Sequence, residues 1–138
     1  MKKHITPVLL AVIKKGDTYL LTKRIEDIQD RQMEFHDLWQ IPGGGLEFGE
    51  NAENGLMREC REELNSSIKI VKLLPHIYER VYKDRWHGLF LAFLCELTSP
   101  ESEIKLNQEA SEWAWFTKAE IRKLNKFPLI DEVIALVE

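Results

Sequence analysis

Apolar and polar positions change their period along this chain, and each period predicts an element. The runs "TPVLLAVI" from Thr6 and "YLLTKR" from Tyr19 are rich in β-formers and are separated by "KKGD", which predicts a hairpin with Gly16 in its turn. The polar stretch from Glu26 to Asp37 reads as a loop, and "LWQIPGG" as a short apolar strand broken by Pro42 and the glycines. The period then becomes helical: from Asn51 to Leu64, the residues Ala52, Leu56, Cys60 and Leu64 recur at every fourth position with Met57 beside them, and Asn51 is placed as an N-cap. "SIKIVKLL" and "HIYERVY" read as two strands, and "HGLFLAFLCEL" from His87 is the longest β-type run, which belongs at the centre of a sheet. Beyond the "TSPESE" loop come a short strand, "EWAWF", and a helix, "TKAEIRKLN", capped by Thr117 with Glu120 three residues on. The final helix is "PLIDEVIALVE", with Pro128 near its start.

Nothing in this order repeats, and no linker or low-complexity tract divides it, so residues 1–138 are expected to form one domain; that length can bury a core without staples. Apolar residues make up 44% and charged residues 30%, the balance of a globular chain rather than a disordered one. The formal net charge of -4 argues against binding a nucleic acid polymer through its phosphates, but leaves room for a small anion bridged by cations. "VLLAVI" and "LFLAFL" are far too short to span a membrane, and "MKKHITP" leads into no signal peptide, so a cytoplasmic location is expected. Cys60 and Cys95 lie in apolar surroundings without CxxC spacing and read as buried free thiols.

The chemistry concentrates between Ile41 and Leu64. "IPGGGLEFGE" spends three consecutive glycines, which is costly in conformational entropy unless the backbone turns sharply or comes close to something. On a wheel at 100° per residue with Leu56 at zero, Glu63 falls at about -20° and Glu59 at about -60°, on or beside the apolar stripe. Carboxylates buried without compensation cost several kcal/mol, so positive charge must face them. Arg58 and Arg61 project to other sectors, and a divalent cation suits two carboxylates one helical turn apart. The wheel alone leaves a metal site and a structural salt bridge both open. The glycine run matches neither a P-loop nor a dinucleotide fingerprint.

Gly44, five residues, Glu50, seven residues and then Arg58, Glu59, Cys60, Arg61, Glu62 and Glu63 reproduce the spacing G-x5-E-x7-R-E-U-x-E-E. This resembles the box of the Nudix hydrolases, most closely their MutT-like branch, and the likeness runs from the opening strands to "EWAWF". The departures are Cys60 for an aliphatic residue, Asn65 for the glycine of the box and Ser66 for its last aliphatic residue. Cys60 is a small apolar stand-in, and asparagine tolerates the left-handed turn that ends a helix. Gly55 weakens the helix by about 1 kcal/mol but permits close backbone packing.

The resemblance implies an α/β (α+β) fold, an α/β/α sandwich with a mixed β-sheet, and metal-dependent hydrolysis of a nucleoside diphosphate linked to another moiety. The implied cofactor is Mg2+ or Mn2+, bound by Glu59 and Glu63 with help from Glu62 and the Gly44 carbonyl, while Glu50 and Arg58 pair to hold the loop against the helix. The implied partner is a small nucleotide, with no nucleic acid polymer and no membrane; a homodimer is common in the family. For the MutT-like branch the expected reaction takes a nucleoside triphosphate to monophosphate and pyrophosphate, and Glu109 is the candidate further base or ligand. Lys23 and Arg24 are candidates for phosphate contacts, Trp39, Phe35 and Tyr82 for base stacking, each with solvation or core packing as the alternative. His36 and His87 have no partners at ligand spacing. Tyr82 also resembles a tyrosine of the diadenosine polyphosphate hydrolases, and a non-catalytic Nudix-fold binding module is the alternative of a different class.

Overall fold

The structure is a computed structural model that describes residues 3–26 and 35–138. Residues 27–34 of the expected Glu26–Asp37 loop lie outside the described residues. Strands β1 (Ile5–Lys15) and β2 (Thr18–Arg24) form the expected hairpin, with Gly16 at φ 61° in its turn. They pair only at Lys14↔Tyr19 and Lys15↔Thr18, and then diverge. The freed edge of β1 pairs with β4 (Gly43–Gly45), while β2 pairs with β3 (Trp39–Gln40) and β7 (Ala110–Thr117). On its other side β1 runs parallel to β6 (Trp86–Leu97), which is antiparallel to β5 (Ile68–Tyr82). Among the described residues the sheet is therefore mixed and seven-stranded, and β6 is an interior strand as its apolar run predicts.

Period-two alternation along β1 builds two cores. Leu9, Ala11 and Ile13, with Leu20 of β2, pack against Leu56, Cys60 and Leu64 of α1 (Ala52–Leu64). Val12, with Tyr19 and Leu21, faces the other way, onto Ile121 of α2 (Lys118–Lys123) and Ile130, Val133 and Ile134 of α3 (Ile130–Ala135). Successive side chains of a strand point to opposite faces, so one hairpin supports helices on both sides of the sheet. Both cysteines are free and fully buried. No helix among the described residues is long and apolar enough to cross a membrane.

The caps agree with the sequence. Asn51 Oδ1 accepts from the Asn54 N–H at 2.8 Å, and Asn65 takes the left-handed conformation (φ 52°) with its N–H donating to the Arg61 carbonyl at 3.0 Å. At α2, Thr117 and Glu120 form a reciprocal capping box.

Three expected boundaries differ. The runs predicted as two strands are one, β5, whose pairing with β6 is irregular between Leu73 and Ile77, where Pro75 cannot donate to the ladder. The glycines do not merely end a strand: Gly43–Gly45 is itself a strand, paired with Val8, Leu9 and Leu10. The final helix begins at Ile130, preceded by Leu129 at φ 81°, because a left-handed residue cannot continue a helix from Pro128.

Gly55 lies on the buried side of α1, where a Cβ would come within 2.8 Å of Glu50 Oε1, 2.9 Å of Leu9 Cδ1 and 3.1 Å of Leu46 Cδ1. Helix propensity alone favours Gly55→Ala by about 1 kcal/mol. The fully buried Leu9 and the bonded Glu50 leave the methyl no space, so the substitution is expected to lower the melting temperature. A rise in melting temperature would show that α1 has slack at this contact.

Candidate active site

The site forms where α1 crosses the glycine strand. Gly43 has φ 153°, and a Cβ there would stand 1.9 Å from the Leu9 carbonyl oxygen. Its N–H is aimed at the helix and donates to Glu63 Oε2 at 2.9 Å. A Cβ on Gly44 would lie 2.5 Å from the Glu59 carboxyl carbon. The glycines therefore let backbone reach two acidic side chains of the buried helix face, which is the close approach their sequence cost implies.

Glu59 and Glu63 lie where the wheel puts them: Glu63 is only 7% exposed, and Glu59 is half-buried. Burial first, then repulsion from Glu59 and Glu109, pushes the Glu63 carboxyl up to about 8, against the pull of the Gly43 N–H. Burial also raises Glu59, with Glu62 and Glu109 adding to it and Arg58 opposing it. Glu109 arrives from the segment before β7, where its carbonyl accepts from the Ile25 N–H at 2.8 Å. These three glutamates line a cleft of about 360 Å3 together with Arg24 and the three glycines.

Arg58 corrects one expectation. The wheel directs it away from the acids, yet its long side chain curls back, so that Nη1 lies 2.9 Å from Glu59 Oε1 and 3.1 Å from Glu62 Oε2. Its Nε and Nη2 bond the two oxygens of Glu50 at 3.0 and 2.7 Å, and Nη2 also donates to the Gly45 carbonyl. Hydrogen bonds from Arg58, then from the Glu47 N–H, draw the Glu50 carboxyl down to about 2. The guanidinium thus ties loop, strand and helix together, while Glu63 receives no ionic partner from it.

The acids here could hold a divalent cation, since the buried Glu63 has no ionic partner among the described residues and the half-buried Glu59, although it meets Arg58, also has its proton affinity raised by burial. Glu62 is turned outward to Arg58, and among the described residues no three acidic, His or Cys side chains converge as a ready-made metal cluster. Arg24 reaches the cleft, held by Gln40 Oε1 at 3.3 Å and by Glu26 at 3.4 Å. Lys23, next along β2, points away: it pairs with Glu112 at 3.4 Å and lies 5.9 Å from the Trp39 ring. Trp39 packs edge-on against Phe116 at 4.9 Å, and neither Lys23 nor Trp39 lines the cleft.

A second cavity, of about 410 Å3, shares Arg24, Glu26, Gln40, Gly43 and Gly44 with the acidic cleft. Phe35 and Tyr82, both candidates for stacking, meet there at 5.5 Å between ring centroids. Trp86, Phe90, Phe127 and Arg80 complete its wall without having been singled out by the sequence reading. They come from β5, β6 and the segment before α3, and no local pattern marks residues that only the fold gathers.

Residues 3–137 match the NUDIX domain family. Nucleoside triphosphatase NudI of Escherichia coli K12 is 31% identical over 117 residues, covering 78% of this chain and 79% of that protein. A solved NUDIX hydrolase from Nitrosomonas europaea superposes with a TM-score of 0.81 at 26% identity, over 96% of this chain and 88% of the other. The MutT NUDIX hydrolase of Burkholderia pseudomallei, at 18% identity, shares the fold with a TM-score of 0.82 over 99% and 100% of the two chains. The chain belongs to the Nudix hydrolase family, whose members generally use a divalent metal.

Two outcomes follow from the charges. Glu63 keeps its proton in the fold up to about 8, whereas an ordinary glutamate releases it near 4.5. Folded protein therefore binds more protons than unfolded chain between those values, and stability falls as pH rises through that window. In chelator-treated protein, the melting temperature should decline across it, and Glu63→Gln should flatten most of the decline and melt higher than the unsubstituted chain at the alkaline end. An undiminished decline in the variant would place the buried charge elsewhere. Glu50, with its depressed carboxyl, contributes stability above about 4.5 that is lost as pH falls toward 2. A double-mutant cycle of Glu50→Gln and Arg58→Gln should be strongly non-additive in thermal stability; additive effects would contradict the pairing.

Proposed function

We propose that this Nudix hydrolase is a Mg2+- or Mn2+-dependent nucleoside triphosphate pyrophosphohydrolase, releasing nucleoside monophosphate and pyrophosphate. The observation that carries the reading is that the two cavities adjoin, sharing Arg24, Glu26, Gln40, Gly43 and Gly44 in their linings, so that one molecule could place a flat ring among aromatics and its phosphates over the acids. The likeness to the E. coli relative, a nucleoside triphosphatase, supports it.

In this reading Glu59 and Glu63 hold the cation, with Glu109 and the Gly44 carbonyl as the further oxygens at hand, while Glu62 would have to leave Arg58 to join them. A bound divalent ion supplies charge neutralisation on the phosphates and a more acidic water. The chain's own contribution is positional. Gly43 N–H fixes one Glu63 oxygen at 2.9 Å and leaves the other for the cleft. Arg58 holds Glu59 and, through Glu50, keeps the loop closed on the helix. Arg24 brings a guanidinium to the junction of the cavities, where it can meet a phosphate oxygen, and Glu109 can accept a proton from water at the cleft.

Attack at the β-phosphorus joins the water oxygen to that phosphorus and breaks its bond to the α-bridging oxygen, which leaves on the monophosphate. Hydrolysis in 18O-labelled water should then put the label in pyrophosphate. Label in the monophosphate would mean attack at the α-phosphorus, and inorganic phosphate as sole initial product would exclude a pyrophosphohydrolase.

A further inference from the structure

The aromatic cavity contains a cation that nothing in the acidic cleft uses. Arg80, on β5, lines the cavity, and its Nε is buried without a hydrogen-bond partner. Its guanidinium carbon sits 6.0 Å from the Phe35 ring centroid, a cation-π contact that leaves the N–H unbonded. Arg24 Nε is also buried and unbonded, but that guanidinium has Glu26 and Gln40 beside it. Arg80 has no such carboxylate or amide among the described residues. A buried donor left unmatched is costly, and among the described residues no acceptor meets this one, so the cavity favours a ligand that brings an acceptor to it.

The surroundings say what kind of acceptor. Phe35 lies 5.5 Å from Tyr82 and 4.7 Å from Phe127, and Trp86 lies 5.9 Å from Phe90. Such walls take a flat ring by stacking or edge contact. A guanidinium only donates, so it favours a ring edge bearing a carbonyl oxygen and opposes one bearing an amino group. We infer that Arg80 is a specificity-determining residue that donates to a base carbonyl, so that the cavity selects keto bases, guanine, thymine or uracil, over adenine. The inference rests on the nucleotide reading for the placement of the base in this cavity. Guanine offers O6 and N7 side by side to an arginine, and uracil and thymine offer O4, whereas adenine turns its amino group to the same place.

The test uses the full chain with neutral nucleosides, which need neither metal nor turnover, so its result is independent of whether the pyrophosphohydrolase reading holds. By NMR titration of metal-free protein, guanosine and uridine should bind about 10-fold more tightly than adenosine. Arg80→Met, checked for folding by its melting temperature, should weaken guanosine and uridine and relieve the opposition to adenosine, so that the three nucleosides bind with similar affinity. With Mg2+ present, the same variant should collapse the ratio of kcat/KM for GTP over ATP toward one. Equal binding of the three nucleosides by the unsubstituted chain overturns the inference even if the variant fails to fold. So does a variant that weakens inorganic pyrophosphate binding and all nucleoside triphosphates equally, since Arg80 would then be meeting phosphate.

Discussion

The structure depends on holding two acidic side chains at a seam where helix and strand would otherwise exclude water and charge. Glu59 and Glu63 sit on the face by which α1 packs on the sheet, and burial there raises the proton affinity of both. Leucine would pack the seam without this cost. The fold tolerates the acids because the facing strand has no side chains: Gly43 presents an N–H to Glu63, and Gly44 leaves the space that the Glu59 carboxylate fills. The glycines and glutamates are one feature written in two places, since neither packs without the other.

Arg58 makes that feature rigid rather than merely possible. Its planar fork bonds both Glu50 oxygens and also reaches Glu59, Glu62 and the Gly45 carbonyl, so the loop between strand and helix is closed by one guanidinium. A lysine could supply the charge but not this geometry. Glu50 in turn accepts from the Glu47 N–H, which shapes the loop from within. The helix below is anchored by Leu56, Cys60 and Leu64 against β1, so the acids inherit the precision of the core.

The legible half of the molecule is the half written in short range. Period-four spacing gave α1, its caps and the inward turn of Glu59 and Glu63; the hairpin, the interior β6 and the Thr117 capping box were equally local. What the wheel could not show was side-chain reach: Arg58 points outward at its Cβ and inward at its guanidinium. Pairing across distance was also illegible. β5 continues through Pro75 because β6 carries it across the irregularity, and the glycines become a strand because β1 splits from β2 and leaves an edge to be filled. Lys23 and Arg24 are chemically alike in sequence, yet strand alternation sends one to Glu112 and the other to the cleft.

The same division separates reaction from substrate. Glu59, Glu63, the glycines and Arg58 lie within residues 43–63, so their relative positions follow from one strand, one loop and one helix. The neighbouring cavity draws Phe35, Arg80, Trp86, Phe90 and Phe127 from four separated parts of the chain, with the acidic cleft joined to it only along a shared edge. A substitution in that wall is not bound to disturb Glu59 or Glu63, whose supports lie on the glycine strand and under α1. On the proposed reading, the architecture would allow the recognition of the non-phosphate end to change while the acidic centre stays the same, and a local motif could then announce the chemistry and remain silent about the molecule on which it acts.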